Sequence, residues 1–267
     1  MTADPLTLVL SVYIAMIVLM AALWGLHLWV RNASIADVGF CVGLIAAVLW
    51  YAQVASGEPE RKVLVALMAV VYAGRLGLFI LVNRIVGKTE DARYRRLREE
   101  WGATERMKMF GYFQLQAIAV AALSLPFLVV MQNPRPPFGF EELGGFFLWL
   151  IAVSGEVVAD WQLAQFRSKP WNTDRVCRDG LWYYSRHPNY FFEWLHWWTY
   201  VVMAGHAPGW PLTWIGPLAM GWALLKVTGI PVAEQQAIRT KGEDYREYQR
   251  TTNAFVPWWP KRPFNRH

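Results

Sequence analysis

Charge is scarce in this chain: Asp, Glu, Lys and Arg make up 17% of its 267 residues, where a soluble domain carries about 25%. That deficit argues against a soluble globular fold. Cysteine is nearly missing too. Cys41 and Cys177 are the only two, without metal-ligand spacing, so neither a disulfide framework nor a metal site is expected. There is no Gly-rich turn between a strand and a helix, no Walker loop and no Ser–His–Asp set, which excludes the soluble nucleotide-binding designs. A nucleotide site, if there is one, must be made from helices. Repeats and low-complexity tracts are absent. The start Met1-Thr-Ala-Asp-Pro5 lacks a basic region, and no small-residue cleavage site follows. The first apolar run is therefore expected to stay in the mature protein.

What is abundant is apolar and aromatic surface, at 55% hydrophobic residues with 16 Trp. A helix needs roughly 20 apolar residues to cross a bilayer, and seven runs approach or exceed this, at about 6–30, 34–55, 63–86, 110–131, 143–166, 190–206 and 211–230. Placing Lys and Arg on alternate sides of these spans gives 21 on one side and 3 on the other, with Arg75 and Lys226 inside spans. By the positive-inside rule the N-terminus is outside and the C-terminus cytoplasmic. The net charge of +6 thus reads as a topology signal and lipid contacts, and no nucleic-acid partner is expected. The fold class is all-α, a polytopic membrane helix bundle of about seven transmembrane helices forming one integral membrane domain over 1–267. Residues 88–106 read as a cytoplasmic interfacial helix, with i,i+4 charge pairs and an apolar stripe of Tyr94, Leu97 and Trp101.

Polar side chains enter the spans on defined faces. At 100° per residue, Tyr72, Arg75, Phe79 and Asn83 lie within about 80° on the third span. Glu156, Asp160, Leu163 and Arg167 lie within about 60° on the fifth, and Glu193, His196, Trp197 and Tyr200 within about 100° on the sixth. Each has an ordinary reading. Asp37 with Ser34 caps the second span, Arg75 makes an internal ion pair, Gln53 and His196 pack helices, and Trp197 belongs to an aromatic belt. The combination says more. The fifth and sixth spans turn acidic groups towards a cytoplasmic loop holding Arg167, Lys169, Arg175, Arg178 and Arg186. Guanidinium forks suit phosphate oxygens, while Asp160, Asn189 and Glu193 suit an amide, amine or ribose. A phosphorylated cofactor entering from the cytoplasm is the expected ligand.

The stretch Gly180-Leu-Trp-Tyr-Tyr-Ser-Arg-His-Pro-Asn-Tyr-Phe-Phe-Glu193, followed by Glu243-Asp-Tyr-Arg-Glu-Tyr248 and Phe255-Val-Pro257, resembles the steroid 5-alpha-reductase family, in particular its large bacterial branch. Asn32-Ala-Ser-Ile-Ala-Asp37, Gly87-Lys-Thr-Glu-Asp-Ala-Arg-Tyr94 and Phe113-Gln-Leu-Gln116 extend the likeness upstream. The resemblance implies a bacterial inner-membrane enzyme that uses NADPH, bound on the cytoplasmic side by residues 150–260, to reduce a carbon–carbon double bond conjugated to a ketone. The family's cofactor pattern falls on Asp160, Arg167, Arg175, Asn189 and Glu193. Arg186, His187 and Tyr245 lie within the same motifs and join them as candidate cofactor contacts. The family's ketone-contacting tyrosine falls on Tyr72, with Asp37 a second candidate catalytic residue and Gln53, Arg75 and Trp197 candidate substrate contacts. The family's Gln-Glu pair on the second span has no equivalent here. The expected substrate is a lipophilic enone, steroid-like or isoprenoid, and no partner protein is implied. The Arg-His-Pro-X-Tyr core also resembles membrane methyltransferases of the isoprenylcysteine carboxyl methyltransferase type, which use S-adenosylmethionine. Those carry paired glutamates where this chain has Ala233-Glu234. A non-catalytic lipid-binding protein is the third reading.

Overall fold

A computed structural model of the chain describes residues 4–205 and 207–261; the N-terminal Met1-Thr-Ala and the tail arginines Arg262 and Arg266 lie outside them. The described residues hold helices and no strand. The main helices are α1 (Pro5–Val30), α2 (Ile35–Val54), α3 (Pro59–Ile80), α4 (Ala92–Trp101), α5 (Glu105–Met131), α6 (Phe140–Arg167), α7 (Leu181–Tyr184), α8 (Pro188–Ala204), α9 (Ile215–Trp222) and α10 (Ile230–Thr251). Proline opens α1, α3 and α8, where a missing N–H costs nothing and the fixed φ suits the first turn. Asp91 caps α4 by accepting from the Arg93 backbone N–H at 2.9 Å.

Six helical runs among the described residues are long and apolar enough to cross a membrane, and the chain is an integral membrane protein. Five are α1, α2, α3 with its π-helical end Leu81–Ile85, the segment ending in α5, and α6. The sixth runs from Trp210 to Thr251. At 42 residues it is about twice what a bilayer needs, and its part up to Ile230 is apolar but for Lys226. The remainder of α10 is rich in charged residues and too polar to be part of a crossing. The sequence places its sixth span on α8, whose 17 residues are fewer than in any of these six runs, so the count by length among the described residues stands at six.

The chain divides into two compact units. The first comprises Met1–Glu142 and Met203–Gly216, the second Leu143–Val202 and Pro217–His267. In the first unit α1, α2, α3 and α5 pack on one another around Met20, Val48, Tyr51, Tyr72, Phe113 and Phe127, all fully buried. The second unit contains the 150–260 half except for the stretch 203–216, which belongs to the first.

Two local results differ from expectation. Ser34 stands at the N-cap of α2 without a side-chain cap hydrogen bond, and Asp37 binds elsewhere. Tyr94 does not face the membrane interface. It is fully buried because its hydroxyl donates to Asp37 at 2.7 Å. Arg96 and Glu100 do form the expected i,i+4 pair, at 2.6 Å.

Candidate functional site

The second unit gathers the motif residues about the turn between α6 and α8. Gln162 near the end of α6 accepts the Leu181 N–H at 2.9 Å, and the Trp182 indole donates to the Ala159 carbonyl at 2.9 Å. Both contacts need Gly180. Its φ of +58° is a left-handed conformation, and a Cβ there would stand 2.3 Å from the Gln162 amide. The following Ser185-Arg-His-Pro188 stretch is tied to the chain's C-terminal segment. Arg186 N donates to Asn253 O at 2.9 Å, Trp258 N to Tyr184 O at 3.0 Å, and Ser185 Oγ to Phe255 O at 2.7 Å. The Tyr248 hydroxyl bonds the carbonyls of Trp182 and Ser185. The sequence separates these pieces by more than sixty residues, yet they form one hydrogen-bonded turn.

On this turn Asn189 donates its Nδ2 to Asp160 Oδ1 at 3.1 Å and uses its Oδ1 to accept the Tyr190 N–H at 3.0 Å. Asp160 and Asn189, chosen on different spans, are thus brought together. Glu193 is buried one turn further along α8. Tyr245 is buried against Val176 and Tyr248, and burial pushes its phenol up. Arg167 and Arg175 are exposed, and neither guanidinium makes a hydrogen bond or ion pair with a described residue. Lys241 adds to this positive field. Its ammonium donates to the backbone carbonyls of Thr173, at 3.3 Å, and Arg175. Burial and then the Arg167 charge push its pKa down.

Arg186 is the exception among the cations. Its Nε and Nη2 each reach Glu234 Oε1 at 2.7 Å, while Nη1 donates to the carbonyls of Gln249 at 3.0 Å and Thr252 at 2.5 Å. Its donors are committed within the protein. His187 is buried, and its Nε2 lies 3.3 Å from the same Glu234 oxygen. Gln249 Nε2 donates to Glu234 Oε2 at 2.7 Å. Burial alone would raise the Glu234 carboxyl. The hydrogen bond from His187, the Arg186 charge and the bonds from Arg186 and Gln249 outweigh it, and hold the group at about 2. Burial pushes His187 below its ordinary value. Glu234 was visible in the sequence only as the lone glutamate of an expected pair. Its role as a hub depends on a contact 48 residues away in the chain.

The remaining candidates divide between the units. Trp197, on α8 in the second unit, is fully buried and meets His196 edge to face at 5.5 Å. Tyr72, Arg75, Asp37 and Gln53 belong to the first. Tyr72 is fully buried on α3, Arg75 is half-buried, and Gln53 is exposed near the end of α2. Asp37 is the centre of a charge network. It accepts from Arg93 Nη2 and the Tyr94 hydroxyl, both at 2.7 Å, and from Arg84 at 3.5 Å. The chain continues from Tyr94 to the Tyr112 hydroxyl at 3.2 Å and on to Gln116 at 3.1 Å. Among the described residues no group of His, Cys, Asp and Glu is placed to hold a metal ion.

No curated protein and no solved structure matches the chain. The family described as "Protein of unknown function (DUF1295)" matches residues 23–252, which takes in α2 to α10, the turn around Asn189 and the Asp37 network. With that match running over most of its length, the chain belongs to the DUF1295 family.

Proposed function

We propose that this membrane protein is an NADPH-dependent reductase of a conjugated carbon–carbon double bond in a lipophilic enone, steroid-like or isoprenoid. The observation that carries the reading is the second unit's turn. It offers the paired Asp160 and Asn189 and, in the same unit, two exposed guanidinium groups, Arg167 and Arg175, that have no hydrogen-bond or ion-pair partner among the described residues. Uncommitted guanidinium forks suit phosphate oxygens, and an Asp–Asn pair suits amide or hydroxyl groups. The DUF1295 match, over residues 23–252, takes in the stretches that carry the resemblance to the steroid 5-alpha-reductase family, apart from Phe255-Val-Pro257.

In this reading Arg167 and Arg175 hold the cofactor's phosphates. Asp160, Asn189 and Glu193 orient its polar groups, with Tyr245 and His187 closing the same turn. Bound NADPH supplies the hydride for the β carbon of the enone. Tyr72 donates a hydrogen bond to the ketone oxygen as negative charge develops there, the step at which a preorganised donor lowers the barrier. Protonation at the α carbon completes the reduction. Arg75 and Trp197 contact the substrate, and Asp37 assists through the network it centres. The finer topology belongs to the same proposal: seven crossings with α8 as one of them, the N-terminus outside, and the cofactor turn on the cytoplasmic face of a bacterial inner membrane.

One observation favours a second reading, methyl transfer from S-adenosylmethionine. Glu234 meets the Arg186-His187 pair directly, and it stands where the methyltransferase resemblance places a glutamate pair. A titration of the detergent-purified protein with NADPH, NADH and S-adenosylmethionine, followed by thermal stability, separates the two, because a ligand bound by the native state raises stability by mass action. A rise with NADPH that Arg167→Ala diminishes is expected. A rise with S-adenosylmethionine alone overturns the reductase.

A further inference from the structure

We propose that Glu234 is the positioning residue of the cofactor turn: its carboxylate fixes the Arg186 fork and sets the tautomer of His187, so that the imidazole offers Nδ1 as an acceptor. The proposal rests on the NADPH reading and goes beyond it in naming what holds the turn in its binding form.

The geometry begins with saturation. Glu234 Oε1 takes the Arg186 Nε and Nη2 atoms at 2.7 Å and stands 3.3 Å from His187 Nε2, while Oε2 takes Gln249 at 2.7 Å. An ionised carboxylate accepts and cannot donate, so the proton on the neutral His187 ring resides on Nε2. The other nitrogen, Nδ1, is then a bare lone pair, and it receives no hydrogen bond from a described residue. The ring is held flat against Tyr190, with centroids 5.3 Å apart and planes 6° from parallel. Nδ1 therefore points in a fixed direction, two residues before Asn189. A donor from the ligand, a hydroxyl or an amide N–H, fits there. The same glutamate keeps the Arg186 charge neutralised and turned into the C-terminal segment, where Gln249 and Thr252 take its remaining donors. Arg167 and Arg175 are thereby left as the turn's anion-binding cations, and α10 is clamped to the start of α8 through one side chain.

The test compares the full-length detergent-purified protein with Glu234→Leu, Glu234→Gln and Gln249→Leu. NADPH affinity is read from thermal-shift titration, and the His187 tautomer from ¹⁵N-histidine NMR with the His187→Gln variant for assignment. In the wild type the ring should carry its proton on Nε2. Glu234→Leu should move it to Nδ1 or to a mixture and raise the NADPH Kd by roughly tenfold or more, the scale of a lost hydrogen bond to a charged group. Glu234→Gln retains an acceptor and should lie between. Gln249→Leu, which frees only one carboxylate oxygen, should raise Kd severalfold. An unchanged tautomer in Glu234→Leu, or a Kd within twofold of wild type, overturns the proposal. Should Glu234→Leu fail to fold, an unchanged Kd in both other variants overturns it. A wild type that binds no NADPH overturns the reductase reading alone, since the tautomer still reports what Glu234 sets.

Discussion

The two basic residues that matter most for the cofactor reading are those the fold leaves exposed. Arg178 and Arg186 are spent on Asp244 and Glu234, whereas Arg167 and Arg175 remain available. Arg167→Ala and Arg175→Ala should each weaken NADPH binding by roughly tenfold, with little change in apo stability, as measured by titration calorimetry. Asp37 is the opposite case. It sits among Arg84, Arg93 and Tyr94, so Asp37→Asn should lower stability by about 1.5–3 kcal/mol, the worth of hydrogen bonds to a charged group. Detergent-phase thermal unfolding reads this loss. The identity of Asp37 as a polar group of consequence was legible in the sequence. Its partners were not, since Arg93 and Tyr94 are more than fifty residues away and read locally as an interfacial helix.

Elements are fixed in place here by a few buried contacts at their ends. The segment between α5 and α6 is held by Arg61 on α3, which reads in sequence as one of three cations marking the external side. It is in fact buried, paired to Glu142, and donates to the carbonyls of Asn133, Arg135 and Pro136, the last two at 2.8 and 3.0 Å. Removing one partner of such a pair strands the other charge in the interior. Arg61→Ala should therefore cost about 3–5 kcal/mol, visible as a large drop in melting temperature or as loss of folded protein. The turn into α7 depends on Gly180 in the same way. Gly180→Ala places a methyl against Gln162 in a left-handed conformation. It should weaken NADPH binding more than it lowers stability, because the Gln162–Leu181 contact that shapes the turn is what it displaces. The apolar runs located α3, α5 and α6 to within a few residues. The end contacts escaped that reading, because they join residues by three-dimensional proximity and leave no trace in local composition.

For the whole molecule, acid should act through the Glu234 hub. The Glu234 carboxyl is held at about 2 against an ordinary 4.5. The stability it contributes is complete above the ordinary value and is lost as pH falls from there towards 2. His187 acts in the same direction below about 6.5, because its buried ring must charge. A melting-temperature profile should fall across this window, and Glu234→Gln should flatten the part below pH 4.5. Reporter fusions at the C-terminus and in the Ala55–Glu58 link should report cytoplasmic and external locations respectively, the charge asymmetry being the cause. By itself the sequence determined an all-helical membrane protein, because apolar runs of bilayer length leave the backbone no other way to satisfy its hydrogen bonds. It also singled out Asp160, Asn189 and Glu193 as the polar residues of the motif. The tertiary structure alone decided which charges are spent and which stay open. Arg186 and Arg167 are the same residue type in one basic loop. Only the return of α10, bringing Glu234 and the Gln249 and Thr252 carbonyls to the turn, commits the first and leaves the second exposed.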